Sequence, residues 1–202
     1  MTSLKSGALE KAAVDRILRA IGTPSRTVYP PSDDSFLMLQ VLLNIEFNDL
    51  TVCDIGTGSG ILGLFCAIQG AEVTVTDINE IALRETLVAA KKLKVSISSV
   101  LSDVFSGVNG KFDYVLFNPP YLPSEEISDS AVDGGQYGLS LTRKFLNGLP
   151  SRLRKNGHGL LLLSSLNNPT KVVSEYPEFS FGLLATRTVF FEELQVLGLR
   201  LS

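Results

Sequence analysis

Apolar and polar positions change rhythm twice along this chain. Between residues 8 and 21 the apolar side chains return every fourth place, at Leu9, Ala13, Ile17 and Ile21, with Val14 and Leu18 alongside. That spacing puts them on one face of an amphipathic helix. Gly22, Pro24 and the segment "TVYPP" end it, and Asp34 opens a second helical run, "SFLMLQVLLNIE". From Thr51 short apolar runs alternate with longer amphipathic ones. "TVCDI" predicts a strand, "ILGLFCAIQG" a helix, "EVTVTD" a strand and "INEIALRETLVAAKKLK" a helix. "VSISSVLS" and "FDYVLFN" predict two more strands. After a loop come a helix, "LSLTRKFLNGLPSRLRKN", a strand, "HGLLLLSS", and a helical "NNPTKVVSEYP".

The rhythm changes again at the end. "FSFGLLATRTV" and "ELQVLGLRLS" are two strands with only a short link between them. A parallel crossover needs a dozen or more residues, so this pair is antiparallel. The expected fold is α/β: a mainly parallel seven-stranded sheet with an antiparallel last strand and helices on both faces. Residues 28–202 form the expected domain, and residues 1–27 an added helical arm. No internal repeat or low-complexity tract interrupts it.

Composition narrows the picture. A chain of 202 residues with 45% hydrophobic residues can bury one sizeable core. Its net charge of −3 offers no basic excess for collecting phosphates, which speaks against general nucleic-acid binding. Cys53 and Cys66 belong to no CxxC pair, and the single histidine, His158, lies far off, where it reads as a turn residue. No metal site is expected, and the cysteines read as reduced core residues of a cytoplasmic protein. The N-terminal segment has no uninterrupted apolar core like that of a secretory signal, and no run is long enough to span a membrane.

Candidate chemistry sits at the strand ends. "DIGTGSG" follows the first strand and opens a helix. Its glycines allow a tight turn and close approach of a ligand to the main chain. The phosphate-binding lysine of a P-loop is absent. Asp54 precedes this turn, Asp77 ends the second strand, and Asp103 follows the third. Any one of them could be a helix cap or turn residue. Together they place three carboxylates in one crevice, which suits a cationic ligand carrying a ribose and an adenine amine. S-adenosylmethionine has those features and no phosphate.

The fourth strand runs into "NPPY", where Pro119 and Pro120 forbid its continuation beyond Asn118. Asn-Pro can simply make a turn. At this place it can also do chemistry. An amide or aryl amine nitrogen delocalises its lone pair and attacks poorly. The Asn118 side-chain oxygen and the Pro119 carbonyl can each accept one of its N–H bonds. That stabilises the charge growing on nitrogen and aims its lone pair. Pro120 stiffens the backbone, and Tyr121 can stack on a flat substrate.

"DIGTGSG" with "NPPY" resembles the Rossmann-like class I methyltransferases that act on planar nitrogens. "VYPPSDDSFLMLQVL", "FNPPYLP" and "DGGQYGLS" are similar to the HemK-type release-factor glutamine methyltransferases in their short eukaryotic and archaeal form. The likeness runs from Val28 to Leu201. It implies S-adenosylmethionine as cofactor, with Tyr29, Pro31, Asp34 and Ser35 at its methionine end. Asp54, Gly56, Thr57, Gly58 and Gly60 would hold its tail, Asp77 and Ile78 its ribose side, and Asp103 and Val104 its adenine. Asn118, Pro119, Pro120 and Tyr121 would bind the glutamine, and Asn118 would border the cofactor as well. The implied substrate is the Gly-Gly-Gln loop of a class 1 translation release factor, and the implied partner a small zinc-binding activator protein. One departure is visible: the family usually has a glutamate where this chain has Pro30. Two other readings stand beside it, an RNA or DNA adenine N6-methyltransferase and a non-catalytic adenosylmethionine-binding subunit.

Overall fold

The computed structural model describes residues 2–120 and 136–202, with side chains for 11–120 and 139–202. Two helices lead, α1 (Thr2–Ile21) and α2 (Asp33–Leu42). Strands and helices then alternate through β1 (Thr51–Ile55), α3 (Ile61–Ile68), β2 (Glu72–Asp77), α4 (Glu80–Leu93) and β3 (Ile97–Leu101). The second half holds β4 (Phe112–Phe117), α5 (Gln136–Gly148), β5 (Leu153–Ser164), α6 (Pro169–Ser174), β6 (Phe179–Val189) and β7 (Glu192–Leu201). The strands form one sheet in the order β3-β2-β1-β4-β5-β7-β6. β3, β2, β1, β4 and β5 pair in parallel, and β7 pairs antiparallel with both β5 and β6.

Strand alternation decides which helices cover which face. Val52, Val73, Val75, Leu116 and Leu160 point to one side, where Ile17, Leu37, Met38 and Phe65 bring in α1, α2 and α3. Cys53, Ile55, Val115, Phe117 and Leu161 point to the other, against Phe145 and Leu146 of α5 and Val172 of α6. The chain winds outward from β1 to β3, then returns to lay β4 on the other side of β1. Right-handed crossovers built in opposite directions put their helices on opposite faces. The reversal opens a crevice at the carboxyl ends of β1 and β4, the usual ligand place in such sheets.

α1 is fastened to this frame. Ile17 is fully buried. Arg16 Nη2 donates to the Leu93 carbonyl at the end of α4 (2.6 Å), and Lys92 Nζ donates to the Ala20 carbonyl (2.8 Å). Each cation meets the negative end of the other helix. Cys53 and Cys66 are free thiols in the core, as expected. Among the described residues no helix is long and apolar enough to cross a membrane.

Several element ends depart from the sequence pattern, among them the stop of β4 at Phe117 rather than Asn118 and the span of α6, Pro169–Ser174. The second helix begins at Asp33 rather than Asp34 and stops at Leu42, short of the predicted "NIE". The helix predicted through Asn156 stops at Gly148, because Pro150 has no N–H to give and ends the ladder. Its last residue must also be small: a Cβ at Gly148 would lie 2.5 Å from a ring carbon of Phe105. β5 therefore starts at Leu153, opposite Phe112, with Asn156 at φ 66° and a register shift before Tyr114. His158, expected in a turn, lies inside β5 with its imidazole stacked on Tyr114 at 5.0 Å.

Candidate active site

A cavity of about 610 Å³ occupies the crevice, within the range of small-molecule sites. Its floor is the turn after β1. Gly58 sits there at φ 52°, and a Cβ would lie 3.4 Å from the Tyr29 carbonyl oxygen. Gly60, at φ 82°, lies against Thr86, which a Cβ would meet at 2.5 Å. Both positions favour glycine for conformation, and Gly60 demands it for room as well.

The carboxylates organise this turn. Asp54 is 1% exposed. Its Oδ2 accepts from Thr57 Oγ1 (2.7 Å) and from the Gly63 N–H (3.0 Å). Burial pushes the Asp54 carboxyl up to about 6, and those two hydrogen bonds resist the rise. Asp77 Oδ2 accepts from the Gly58 N–H (2.9 Å) and its Oδ1 from the Asn79 N–H (2.8 Å), so one side chain ties together the turns after β1 and β2. Beside it Ile78 is 74% exposed, an aliphatic side chain open over the cavity.

The wall before α2 comes from a buried carboxylate. Asp34, 2% exposed, accepts at Oδ1 from the Ser35 N–H (2.5 Å) and Ser35 Oγ (3.1 Å). Its Oδ2 accepts from the Tyr29 hydroxyl (3.0 Å). At the far end, Ser102 Oγ accepts from the Gly107 N–H (2.9 Å) and donates to the Val104 carbonyl (3.0 Å). Val104 is held at φ 54°, uncommon for a β-branched residue. Next to it Asp103 pairs with Lys144 Nζ of α5 at 2.5 Å, with nearly half of each side chain in solvent.

β4 ends at Phe117, and Asn118 follows on the cavity wall with Pro119 and Pro120. Asn118 Oδ1 is buried and accepts no hydrogen bond among the described residues. A buried acceptor left without a donor costs about 1–3 kcal/mol. Such an atom in a cavity wall is positioned for a donor that arrives with a ligand.

Of the predicted residues, Tyr29, Asp34, Ser35, Asp54, Gly56, Thr57, Gly58, Asp77, Ile78, Asp103, Val104, Asn118, Pro119 and Pro120 line this one cavity. Pro31 and Gly60 do not reach it, and Tyr121 lies outside the described residues. The three strand-end aspartates each border the cavity, and Asp54 and Asp77 also hold its turns. Sequence reasoning missed Ser140, Leu141 and Lys144, which α5 brings over the crevice, and Phe117 behind Asn118. The three α5 residues read only as one helix among others, and nothing local marks a lysine whose carboxylate partner is 41 residues away.

The chain matches the Methyltransferase small domain family over residues 33–175. A Methanocaldococcus jannaschii protein, provisionally named a protein N5-glutamine methyltransferase, is 39% identical, with 85% of this chain and 90% of that one covered. The mouse methyltransferase HEMK2 is 32% identical over 73% of this chain and 76% of its own. Among solved structures, the E. cuniculi Mtq2–Trm112 complex, responsible for methylation of the eRF1 translation termination factor, superposes with a TM-score of 0.68. It shares 24% identity over 87% of this chain and 99% of that one. Its likeness is one of fold. The glycine turn, the strand-end carboxylates and the asparagine before two prolines thus sit in a chain that belongs to the methyltransferase small domain family and, within it, to the HemK-type protein N5-glutamine methyltransferases.

Proposed function

We propose that the cavity binds S-adenosylmethionine and that Asn118 receives the side-chain amide of a glutamine in the Gly-Gly-Gln loop of a class 1 release factor, giving N5-methylglutamine. The observation that carries this reading is the buried Oδ1 of Asn118, which has no partner among the described residues.

The residues present fit the cofactor. A sulfonium and an ammonium call for anionic surroundings, and Asp34, Asp54, Asp77 and Asp103 all border the space. The glycines of the turn after β1, Gly56 and Gly58, leave the main chain bare along the cavity. On this reading Tyr29, Asp34 and Ser35, with Pro31 behind them, border the methionine end. Asp54, Gly56, Thr57 and Gly58 border the tail, with Gly60 shaping the turn. Asp77 and Ile78 flank the ribose, and Asp103 and Val104 the adenine. Bound there, S-adenosylmethionine supplies an electrophilic methyl group. Asn118 Oδ1 and the Pro119 carbonyl accept the two amide N–H bonds of the glutamine. They orient its nitrogen and offset the positive charge that grows there as its lone pair is used, and the nitrogen then gives up one proton to solvent. Their worth is greatest in the transition state. Tyr121 is assigned to the glutamine on sequence grounds.

The catalytic unit on this reading is residues 28–202, with 1–27 as a helical arm, working in the cytoplasm. A small zinc-binding activator protein is the proposed partner, its zinc held by the partner itself. β3 supports this, because it is an edge strand with Leu101 59% exposed, and bare strand edges invite a second chain. The test offers release factor, RNA and DNA side by side to the same preparation with labelled S-adenosylmethionine. Label is expected in the release factor, on glutamine. Label in RNA or DNA alone, or in none of them, would sink the reading.

A further inference from the structure

Val189 pairs with Glu192, so β6 and β7 are joined by a two-residue turn made of Phe190 and Phe191. Such turns demand positive φ at a central residue and favour glycine, asparagine or aspartate. Here Phe190 takes it, at φ 54°, a real outlier for a bulky side chain. Both rings are thrust into solvent, 94% and 90% exposed. Neither local preference nor packing explains two phenylalanines at this tip. Places where a sequence breaks its local rules without a structural return are where function is to be sought.

The tip is also held in position. Ser164 Oγ donates to Glu192 Oε2 (2.5 Å), and the Glu193 N–H donates to Ser165 Oγ (3.0 Å). These bonds fix the start of β7 to the end of β5, where Leu166 is 54% exposed. β6 runs in the same direction as β4, so its turn stands at the crevice end of the sheet. Two strand spacings of about 4.8 Å separate β4 from β7. The pairing sets Asn118 level with Leu162 and Val196, five residues below the tip, so the tip lies roughly 10–15 Å across the sheet from Asn118 and roughly 15 Å beyond it, about 20 Å in all.

We infer that Phe190 and Phe191, with Leu166, form a docking knob for the protein that carries the acceptor glutamine. The inference rests on the protein-glutamine reading above, and it adds where that substrate is gripped. A macromolecule that seats a glutamine at Asn118 lies at the same end of the sheet as this tip. Two exposed rings offer roughly 300–500 Å² of apolar surface, well short of the roughly 800 Å² per partner of a stable interface. That is too little for a permanent subunit and fits a contact made and released at each turnover.

The variant Phe190→Gly/Phe191→Asn tests it, because glycine suits a turn whose positive φ lies at its first central residue and so keeps the hairpin. Phe191→Glu is a second variant that leaves Phe190 in place. The probes are full-length release factor and a synthetic peptide spanning its Gly-Gly-Gln loop. KM for release factor should rise tenfold or more with kcat kept, while kinetics on the peptide stay within twofold of wild type. An unchanged KM for release factor overturns the proposal. Equal losses on both substrates overturn it too, since they would mark a purely structural tip. A wild-type protein that methylates neither substrate defeats the glutamine reading instead, and the knob with it.

Discussion

Asn118 Oδ1 is an acceptor kept from water with no donor among the described residues, and that has two opposite consequences. Removing it relieves an unpaid desolvation, so Asn118→Ala should leave the melting temperature unchanged or raise it. The same change should lower kcat by ~10²–10³-fold, the scale for one preorganised contact, with cofactor affinity retained. Wild-type kcat in this variant, measured with release factor, would remove Asn118 from the chemistry. Asp54 gives a second residue-scale test through pH. Burial raises its carboxyl from the ordinary 3.8 to about 6. Below pH 3.8 folded and unfolded chains both hold the proton. Between the two values only the folded chain does, and above 6 the buried charge bears its full cost. Stability from this group is thus present in acid and lost as pH rises through 6, by about 3 kcal/mol at most. Asp54→Asn can still accept from Thr57 and Gly63. Its stability relative to wild type, measured by urea unfolding, should grow from pH 4.5 to pH 7; a flat difference would contradict the assignment. Single residues were legible where they sat at a predicted strand end. What each carboxylate does there was not, since the bonds of Asp77 to Gly58 and of Asp103 to Lys144 join positions far apart in sequence.

At the scale of elements, α3 shows why helix preference alone misleads. Alanine is a better helix former than glycine by about 1 kcal/mol. Yet Gly63 lies where α3 presses on the sheet: a Cβ would stand 2.7 Å from Val75 Cγ1 and 3.1 Å from Asp54 Oδ2. Val75 is fully buried and stiff at χ1, so it cannot yield cheaply. Overpacking costs about 1–3 kcal/mol. Gly63→Ala is therefore expected to destabilise the protein in urea, by up to about 2 kcal/mol once the helix gain is offset. A stabilised variant would show that α3 can lift off β1. Elements with a clear apolar period were found from sequence, including every strand of the sheet. Their ends were less legible. The stop at Gly148 depends on Pro150 and on a contact with Phe105, and only the first is visible locally.

At the scale of the molecule, the exposed β3 edge carries the partner prediction. Expressed alone, the chain should methylate release factor more slowly, and stay less soluble, than when co-expressed with the small activator. Equal rates from a soluble, monomeric lone chain would end that idea. The antiparallel pairing of β6 and β7 could be read from their short link. Which of the two joins β5 could not, because both strands are long and apolar. The answer, β7, makes the order of synthesis differ from the order of assembly. β6 leaves the ribosome first, yet β7 is its only pairing neighbour among the described residues. Until Glu192–Leu201 has been made, β5 has no pairing partner beyond β4, and β6 has none at all. The nascent chain therefore carries two long, sticky strands that wait for a third to slide between them, the window in which a growing polypeptide most needs shelter from its neighbours.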